Sequence, residues 1–442
     1  MRVGLLIDRW QPGRGGAEAC LDGLARHLVA AGHEVEAVVH EAQEGEREDL
    51  LGREASARVH LVPRPGGLRR LLPRGRREAM AGRELVEYAR HLSCDVTVGV
   101  RHLPEVDLYW PHAGAHLAGL RGRMAAKASA VGPIDRDALP ARVVPHGRHK
   151  HFVAFERRLC EQGTARRIVC VSEMVREELT AAYPACSERL VTVENGVDLA
   201  RFQPWRGTRK GALDRLGPAF AGDPEAAGPL LAFVAREPVL KGLPALVRAL
   251  AGLQDRPWRL VVAGPRRFDE VERYLLPFGE PEVLEPARPG AEPVRSARRW
   301  VHLPEVDSAH LYQAASLTLQ PTWRDACSLV TLESLACGRR VVTTMQNGAA
   351  RRVLDGGIAP SPRVPTVSDA GTVLVDPADE VKLAHAIADE LDRAPFAGGH
   401  GDDVEFADWL ADRFADVDAA ETFARIEREL IDLHERKQAL GS

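Results

Sequence analysis

Residues 321–344 read PTWRDACSLVTLESLACGRRVVTT and divide into pieces with different physical demands. Together with the apolar run Leu317 to Gln320 in front of it, the segment predicts a buried strand and then a loop from Trp323 to Cys327. A helix follows from Ser328 to Cys337, closed by Gly338, and a second strand runs from Val341 to Thr344. Strand, crossover helix and strand in that order make a parallel β-α-β unit. In such a unit the loop leaving the first strand and the amides opening the helix share one side, where open α/β sheets bind ligands. Two carboxylates, Asp325 in the loop and Glu333 in the second helical turn, are thereby carried to one edge of a sheet.

The same alternation runs outward in both directions. Short apolar runs at Val3 to Ile7, Val35 to Val39, Val59 to Val62, Val96 to Val100, Ile168 to Val171 and Leu190 to Val193 read as strands. The stretches Ala17 to Ala31 and Glu173 to Ala182 read as amphipathic helices between them. A second series follows a polar, Gly- and Pro-rich stretch at residues 207–228: Leu230 to Ala235, Trp258 to Ala263, Trp300 to Leu303, Leu317 to Gln320, Val341 to Thr344 and Thr372 to Val375. The expected fold class is therefore α/β, with two Rossmann-like doubly wound domains, residues 1–200 and 201–418, facing each other across a cleft. A chain of 442 residues agrees, since single cores stop growing at roughly 250–300 residues. The Pro-laden stretch Pro277 to Pro293 is expected to be an excursion and not an element. An amphipathic helix from Ala419 is expected to cross back onto the first domain.

Composition narrows the chemistry. Apolar residues at 45%, charged residues at 28% and a formal net charge of -4 describe a globular protein with no global attraction for nucleic acid. The seven cysteines are scattered, without a C-x-x-C pair or metal-ligand spacing, and read as reduced thiols of a cytoplasmic protein. No run approaches the roughly 20 apolar residues of a membrane span. Lys and Arg are dense from Arg64 to Arg90 and from Arg121 to Lys150, with Leu71, Leu72 and Met124 among them. Such runs are either solvated faces or a patch for an anionic acceptor or anionic membrane, which would make the protein peripheral at the inner face.

In the second domain, Arg236 and Lys241 follow the strand Leu230 to Ala235, and Gly242 opens the next helix. A guanidinium fork and a mobile ammonium beside a helix start suit a diphosphate, whose growing charge they can neutralise as it leaves carbon. Glu333 sits on a helix whose Val330, Leu332 and Leu335 predict burial, so an unpaired charge there would be costly and a ribose diol is a natural partner. In the first domain, the glycine-rich turn after the first strand lets the amides of Gly15 and Gly16 approach a phosphate. Glu41 stands where a dinucleotide fold keeps its ribose-binding acid, but the turn is not G-x-G-x-x-G, which disfavours a nicotinamide dehydrogenase. His112, in the loop after a strand-like run, is a substrate-contact candidate that Glu105 or Asp107 could orient; His116 follows in the same loop. Ser172 is expected to be a helix N-cap, and Asn195-Gly196 a turn walling the cleft.

Taken together, Gly15-Gly16-Ala-Glu18, Val171-Ser172, Asn195-Gly-Val-Asp with Phe202, Arg236 with Lys241-Gly242, and Asp325 to Glu333 resemble glycosyltransferase family four in order and domain position. Within it, Asp325 to Gly338 and Tyr109 to His112 resemble enzymes related to lipopolysaccharide-core glucosyltransferases. The resemblance implies a GT-B fold and a nucleotide-sugar donor, with a UDP-sugar favoured, held mainly by the C-terminal domain. It implies transfer with retention of configuration, a glycan, glycolipid or small-molecule acceptor, and no required metal or other cofactor. It places Arg236 and Lys241 on the diphosphate, Glu333 on the ribose, Gly16 beside the phosphates, the amides of Cys327 and Ser328 near the donor sugar, and His112 near the reacting sugar. Asp325 takes the place of the first Glu in the family's E-x7-E motif, one methylene shorter. Two other readings share these residues: a nucleotide-sugar epimerase, which needs no acceptor, and a non-catalytic sugar-nucleotide-binding scaffold.

Overall fold

Strand β1, Arg2–Trp10, is buried almost continuously from Val3 to Ile7, as a parallel strand covered on both faces must be. Among the described residues it is the third strand across a seven-stranded sheet that adds β2 Glu34–Ala42, β3 Ala57–Leu61, β4 Val96–Gly99, β5 Val106–Tyr109, β6 Ala165–Cys170 and β7 Leu190–Thr192. The strand order is β3-β2-β1-β4-β5-β6-β7, and all neighbours are parallel. Progress along the chain reverses direction between β1 and β4, so the first sheet has its topological switch point there.

A computed structural model describes residues 1–11, 15–42, 56–64, 71–100, 103–134, 143–220, 228–284, 292–354, 366–368, 370–374, 376–393 and 401–441. The chain divides into two units. The first contains Met1–Leu120, Ala141–Gly196 and Ala419–Ser442, and the second Arg121–Pro140 and Val197–Asp418. The terminal helix Ala419–Gly441 packs within the first unit on the helix Gly16–Ala30. Gly23 makes room for it, because a Cβ there would lie 2.5 Å from the Phe423 ring. The Nε2 atoms of His27 and His33 each lie 2.8 Å from a carboxylate oxygen of Glu427.

Among the described residues the second sheet has nine strands: β8 Leu230–Val234, β9 Arg259–Ala263, β10 Glu282–Leu284, β11 Val294–Ser296, β12 Trp300–Leu303, β13 Leu317–Gln320, β14 Val341–Thr344, β15 Thr366–Ser368 and β16 Gly371–Leu374. Their order is β10-β11-β12-β9-β8-β13-β14-β16-β15, with the switch point between β8 and β13. The helix between β13 and β14 spans Leu329–Ala336, capped by the Ser328 side chain, and Gly338 follows it at φ +71°.

One expectation is corrected. The stretch Pro277 to Pro293 does contain an element, because β10 pairs antiparallel with β11. Pro277 and Pro281 precede that strand and it is the outermost of the sheet, so no inner ladder bond is lost to a proline. Within that stretch 285–291 lie outside the described residues, as do Pro12 to Arg14 of the glycine-rich turn, 221–227 of the inter-domain stretch, Val375, and residues 65–70 and 135–142 of the basic runs.

The segment Arg121–Pro140 groups with the second unit, which a division by sequence order at residue 200 does not foresee. Trp323, 2% exposed, packs on Ala125 and Ala126. A Cβ on Gly122 would lie 2.4 Å from Cβ of Arg324. Arg248 donates to the Ser129 carbonyl at 3.0 Å and to its Oγ at 3.1 Å. Apolar periodicity says that a helical face is buried, not what buries it.

At the switch point Gly242 has φ +89°, and a Cβ there would sit 2.0 Å from the Pro321 carbonyl oxygen. Gly242→Ala is therefore expected to destabilise the second unit by more than the roughly 1–2 kcal/mol of a left-handed L-residue alone, and so to lower its unfolding midpoint. Thermal unfolding checks this; an unchanged midpoint would show that the two loops can separate without cost.

Candidate active site

The loops leaving β8 and β13 meet because Gly242 lets them. The Trp323 amide donates to the Leu240 carbonyl at 2.9 Å and Thr322 Oγ1 to the same oxygen at 3.2 Å. This brings Lys241 Nζ onto the Asp325 carboxylate and within 3.5 Å of the Arg324 carbonyl. The Lys241 and Asp325 side chains are 19% and 17% exposed, so their attraction is less screened than that of a surface pair. Backbone bonds clamp Asp325 from both sides: its amide donates to Gln346 O at 2.9 Å, and its carbonyl accepts from Gly348 at 2.8 Å. Arg236, exposed, stands just past the end of β8.

A buried polar network supports this loop. Ser328 Oγ accepts from the Thr331 amide at 3.2 Å as a helix N-cap and donates to Gln320 Oε1, which also accepts from Thr331 Oγ1 at 3.1 Å. Asn347 Nδ2 donates to Thr331 Oγ1 and Thr343 Oγ1, both at 2.9 Å, while its Oδ1 accepts from the amides of Ser328 at 3.3 Å and Ala349 at 3.0 Å. The Ser328 amide is thus engaged inside the loop, and Cys327 beside it is buried. Sequence reasoning missed Gln320 and Asn347. The Asn347-Gly348 pair after β14 was a visible turn signal; a glutamine closing a strand gives none.

Glu333 keeps some exposure, but its carboxylate lies deep enough that burial pushes its pKa up to about 7. Tyr312 and the positive Arg201 act in the opposite direction, and Asp307 adds to the rise. The buried Tyr312 hydroxyl approaches Glu333 without a hydrogen bond of good geometry. Asp325 and Glu333 thus lie on one β-α-β element, while Lys241 reaches Asp325 from the loop after β8.

In the first unit, Gly15 is the extended N-cap of the helix Gly16–Ala30, and no side chain caps it. Gly16 is exposed at that helix start. His112 follows β5, its ring centroid 4.1 Å from that of Trp110. Glu105 and Asp107 do not orient it. Glu105 pairs with Arg90, and Asp107 accepts from the Thr97 amide at 2.9 Å, Thr97 Oγ1 at 3.0 Å and Lys437 at 3.2 Å. The physical reason is that both carboxylates are committed to those partners, while the chain turns away after β5, the His112 amide donating to the Trp110 carbonyl at 2.9 Å. The His116 amide donates to Glu156 at 2.9 Å, and its ring Nε2 lies 3.1 Å from His149 Nδ1. Ser172 caps the helix Glu173–Ala182, accepting from Val175 at 3.3 Å. Among the described residues no group of three or more His, Cys, Asp or Glu side chains is placed to hold a metal ion.

Two switch-point α/β units define the GT-B class, and solved structures of that class match over nearly the whole chain. WaaG, a glycosyltransferase involved in lipopolysaccharide biosynthesis, is 19% identical with a TM-score of 0.67, covering 96% of this chain and 99% of its own. Anabaena Alr3699/HepE in complex with UDP and glucose is 13% identical with a TM-score of 0.60, covering 98% of this chain and 100% of its own. The family model for Glycosyltransferase Family 4 matches residues 14–201, and that for Glycosyl transferases group 1 matches residues 228–393. The chain belongs to glycosyltransferase family 4. Among curated relatives, the D-inositol 3-phosphate glycosyltransferase of Actinosynnema mirum is 32% identical over 206 residues, 43% of this chain and 44% of that protein. The chain spans about half the length of the curated relatives it matches.

The raised pKa of Glu333 makes a stability prediction. Because the folded value, about 7, lies above the ordinary 4.5, the folded state holds this proton over a range where the unfolded state has lost it. Its contribution is fully present below pH 4.5 and is lost as pH rises through about 7, on the order of 3 kcal/mol in all. Glu333→Gln is expected to unfold close to wild type at pH 4.5 and at a higher temperature than wild type at pH 8. Parallel melting curves check this; a pH-independent difference would place the carboxylate in solvent.

Proposed function

We propose that this protein moves a hexose-type sugar from a nucleoside-diphosphate sugar to a hydroxyl of a glycan, glycolipid or small-molecule acceptor, with retention of anomeric configuration. The observation that carries this reading is the meeting of Lys241 with Asp325 at the switch point of the second sheet, beside the helix start capped by Ser328. A diphosphate drawn to Lys241, Arg236 and that helix start would be held by charge and by amide dipoles. Lys241 and Asp325 neutralise each other until a donor arrives. The diphosphate can then take the ammonium, which releases the Asp325 carboxylate to accept from sugar hydroxyls. Glu333, on the same helix, suits the ribose diol.

In the mechanism that follows, the acceptor oxygen bonds to the anomeric carbon on the face from which the diphosphate leaves. The carbon–oxygen bond to the diphosphate breaks, and the departing oxygen takes the acceptor's proton. Lys241 and Arg236 stabilise the charge that grows there, so no side-chain nucleophile or metal is invoked. A UDP-sugar is favoured as donor, in keeping with the UDP complex of the like-folded HepE. The names of the relatives put a phosphorylated polyol first among acceptors to try.

Calorimetry with UDP and GDP tests the donor half, and binding of neither would overturn it. Lys241→Ala and Glu333→Ala are each expected to weaken nucleotide binding about tenfold to a hundredfold, the worth of a hydrogen bond to a charged group. Incubating a mass-labelled donor with and without acceptor tests the rest. Product that forms only with acceptor is expected, whereas an epimerised donor formed without one would mark an epimerase.

A further inference from the structure

The helix Arg74–His91 begins Arg74-Gly75-Arg76-Arg77, with no acidic residue in its first turn and no side-chain cap. Cations at a helix N-terminus oppose the helix dipole, so this placement costs stability unless an anion compensates it. The helix follows β3, so it starts at the carboxyl edge of the first sheet, where α/β folds bind ligands. A cavity of about 150 Å³ opens there, lined by Arg64, Arg74, Arg77, Glu78 and Ala81. Of the lining residues, Ala81 is held from behind by His40, whose buried ring lies 3.1 Å from the Ala81 carbonyl and 2.8 Å from that of Val62.

The guanidiniums are unequally satisfied. Arg64 Nη2 lies 2.9 Å from both Asp8 oxygens and 3.0 Å from Glu41 Oε1. Arg74 Nε donates to Glu78 Oε1 at 2.8 Å, and Arg148 Nη1 lies 3.7 Å from that same oxygen. Gly75 permits this convergence, because a Cβ there would sit 2.9 Å from the Arg148 Cα. Arg77 Nε is buried with no hydrogen-bond partner among the described residues. A buried, unpaired N–H on a cation is costly, and an oxyanion is the partner that satisfies both the donor and the charge. The cavity holds several times the roughly 30 Å³ share of one water, enough for a phosphate-sized group.

We propose that this cavity binds a phosphate-type oxyanion carried by the acceptor, with Arg77 and Arg74 as its donors and Arg64 at the rim. As an anion site it stands on this geometry alone; its assignment to the acceptor rests on the transferase reading above.

The full-length protein is titrated calorimetrically with inorganic phosphate and with D-inositol 3-phosphate, ionic strength being matched with sodium chloride. Saturable binding of both is expected, weakened about tenfold to a hundredfold in Arg77→Gln and less in Arg77→Lys. Glu78→Gln, which frees Arg74 and Arg148, is expected to tighten it, a gain that a merely structural role for these arginines would not produce. UDP affinity should stay constant across these variants. If wild type fails to bind UDP yet binds phosphate through Arg77, the transferase reading falls and the anion site stands. Phosphate binding that is absent, or equal in all variants, overturns the site. So does Arg77-dependent sedimentation with phosphatidylglycerol vesicles without binding of either soluble phosphate, which would make the patch a membrane surface.

Discussion

The second unit depends on the close approach of two backbones at its switch point, where Gly242 turns against the Pro321 carbonyl. A side chain at position 242 would hold the loop after β8 away from the loop after β13. The two hydrogen bonds onto the Leu240 carbonyl would be lost, and Lys241 would no longer reach Asp325. The Asn347 network then sets the second loop from behind, bonding both the helix start and the turn that follows β14. A site made of long, mobile side chains is positioned here by short, buried polar ones, which have fewer rotamers to lose.

Electrostatics gives the two carboxylates different characters. Asp325 is compensated by a cation at contact distance and remains a charge the site can redirect. Glu333 is displaced toward its neutral form by burial, with only Tyr312 and Arg201 in opposition. A carboxylate held at such a cost is ready for hydroxyl donors, since each hydrogen bond it accepts recovers part of what burial took away. In the first unit Arg77 presents the same condition with the opposite sign: a cation whose buried N–H has no partner among the described residues.

Much of this was legible in the residues. The strands Leu317–Gln320, Trp300–Leu303 and Val341–Thr344 and the helix Glu173–Ala182 begin and end where apolar runs, caps and glycines put them. Their signals are local, set by side-chain period and by the needs of helix ends. Less legible were features that depend on a distant partner. Strand β10 exists because β11 pairs with it, although its own surroundings are rich in proline. The roles of Gln320 and Asn347 depend on β13 and β14 lying side by side.

The sequence by itself determined the α/β class, the two series of strands, the family, and the residue types placed at the carboxyl ends of strands. These follow from the period of burial and from short motifs, which survive without knowledge of what packs on what. Only the tertiary structure decided that Lys241 meets Asp325 and that Glu333 is driven toward neutrality. It alone assigned Arg121–Pro140 to the second unit and left Arg77 with a donor unmatched among the described residues. Those are facts about distance and burial between residues far apart in the chain, and linear order carries neither.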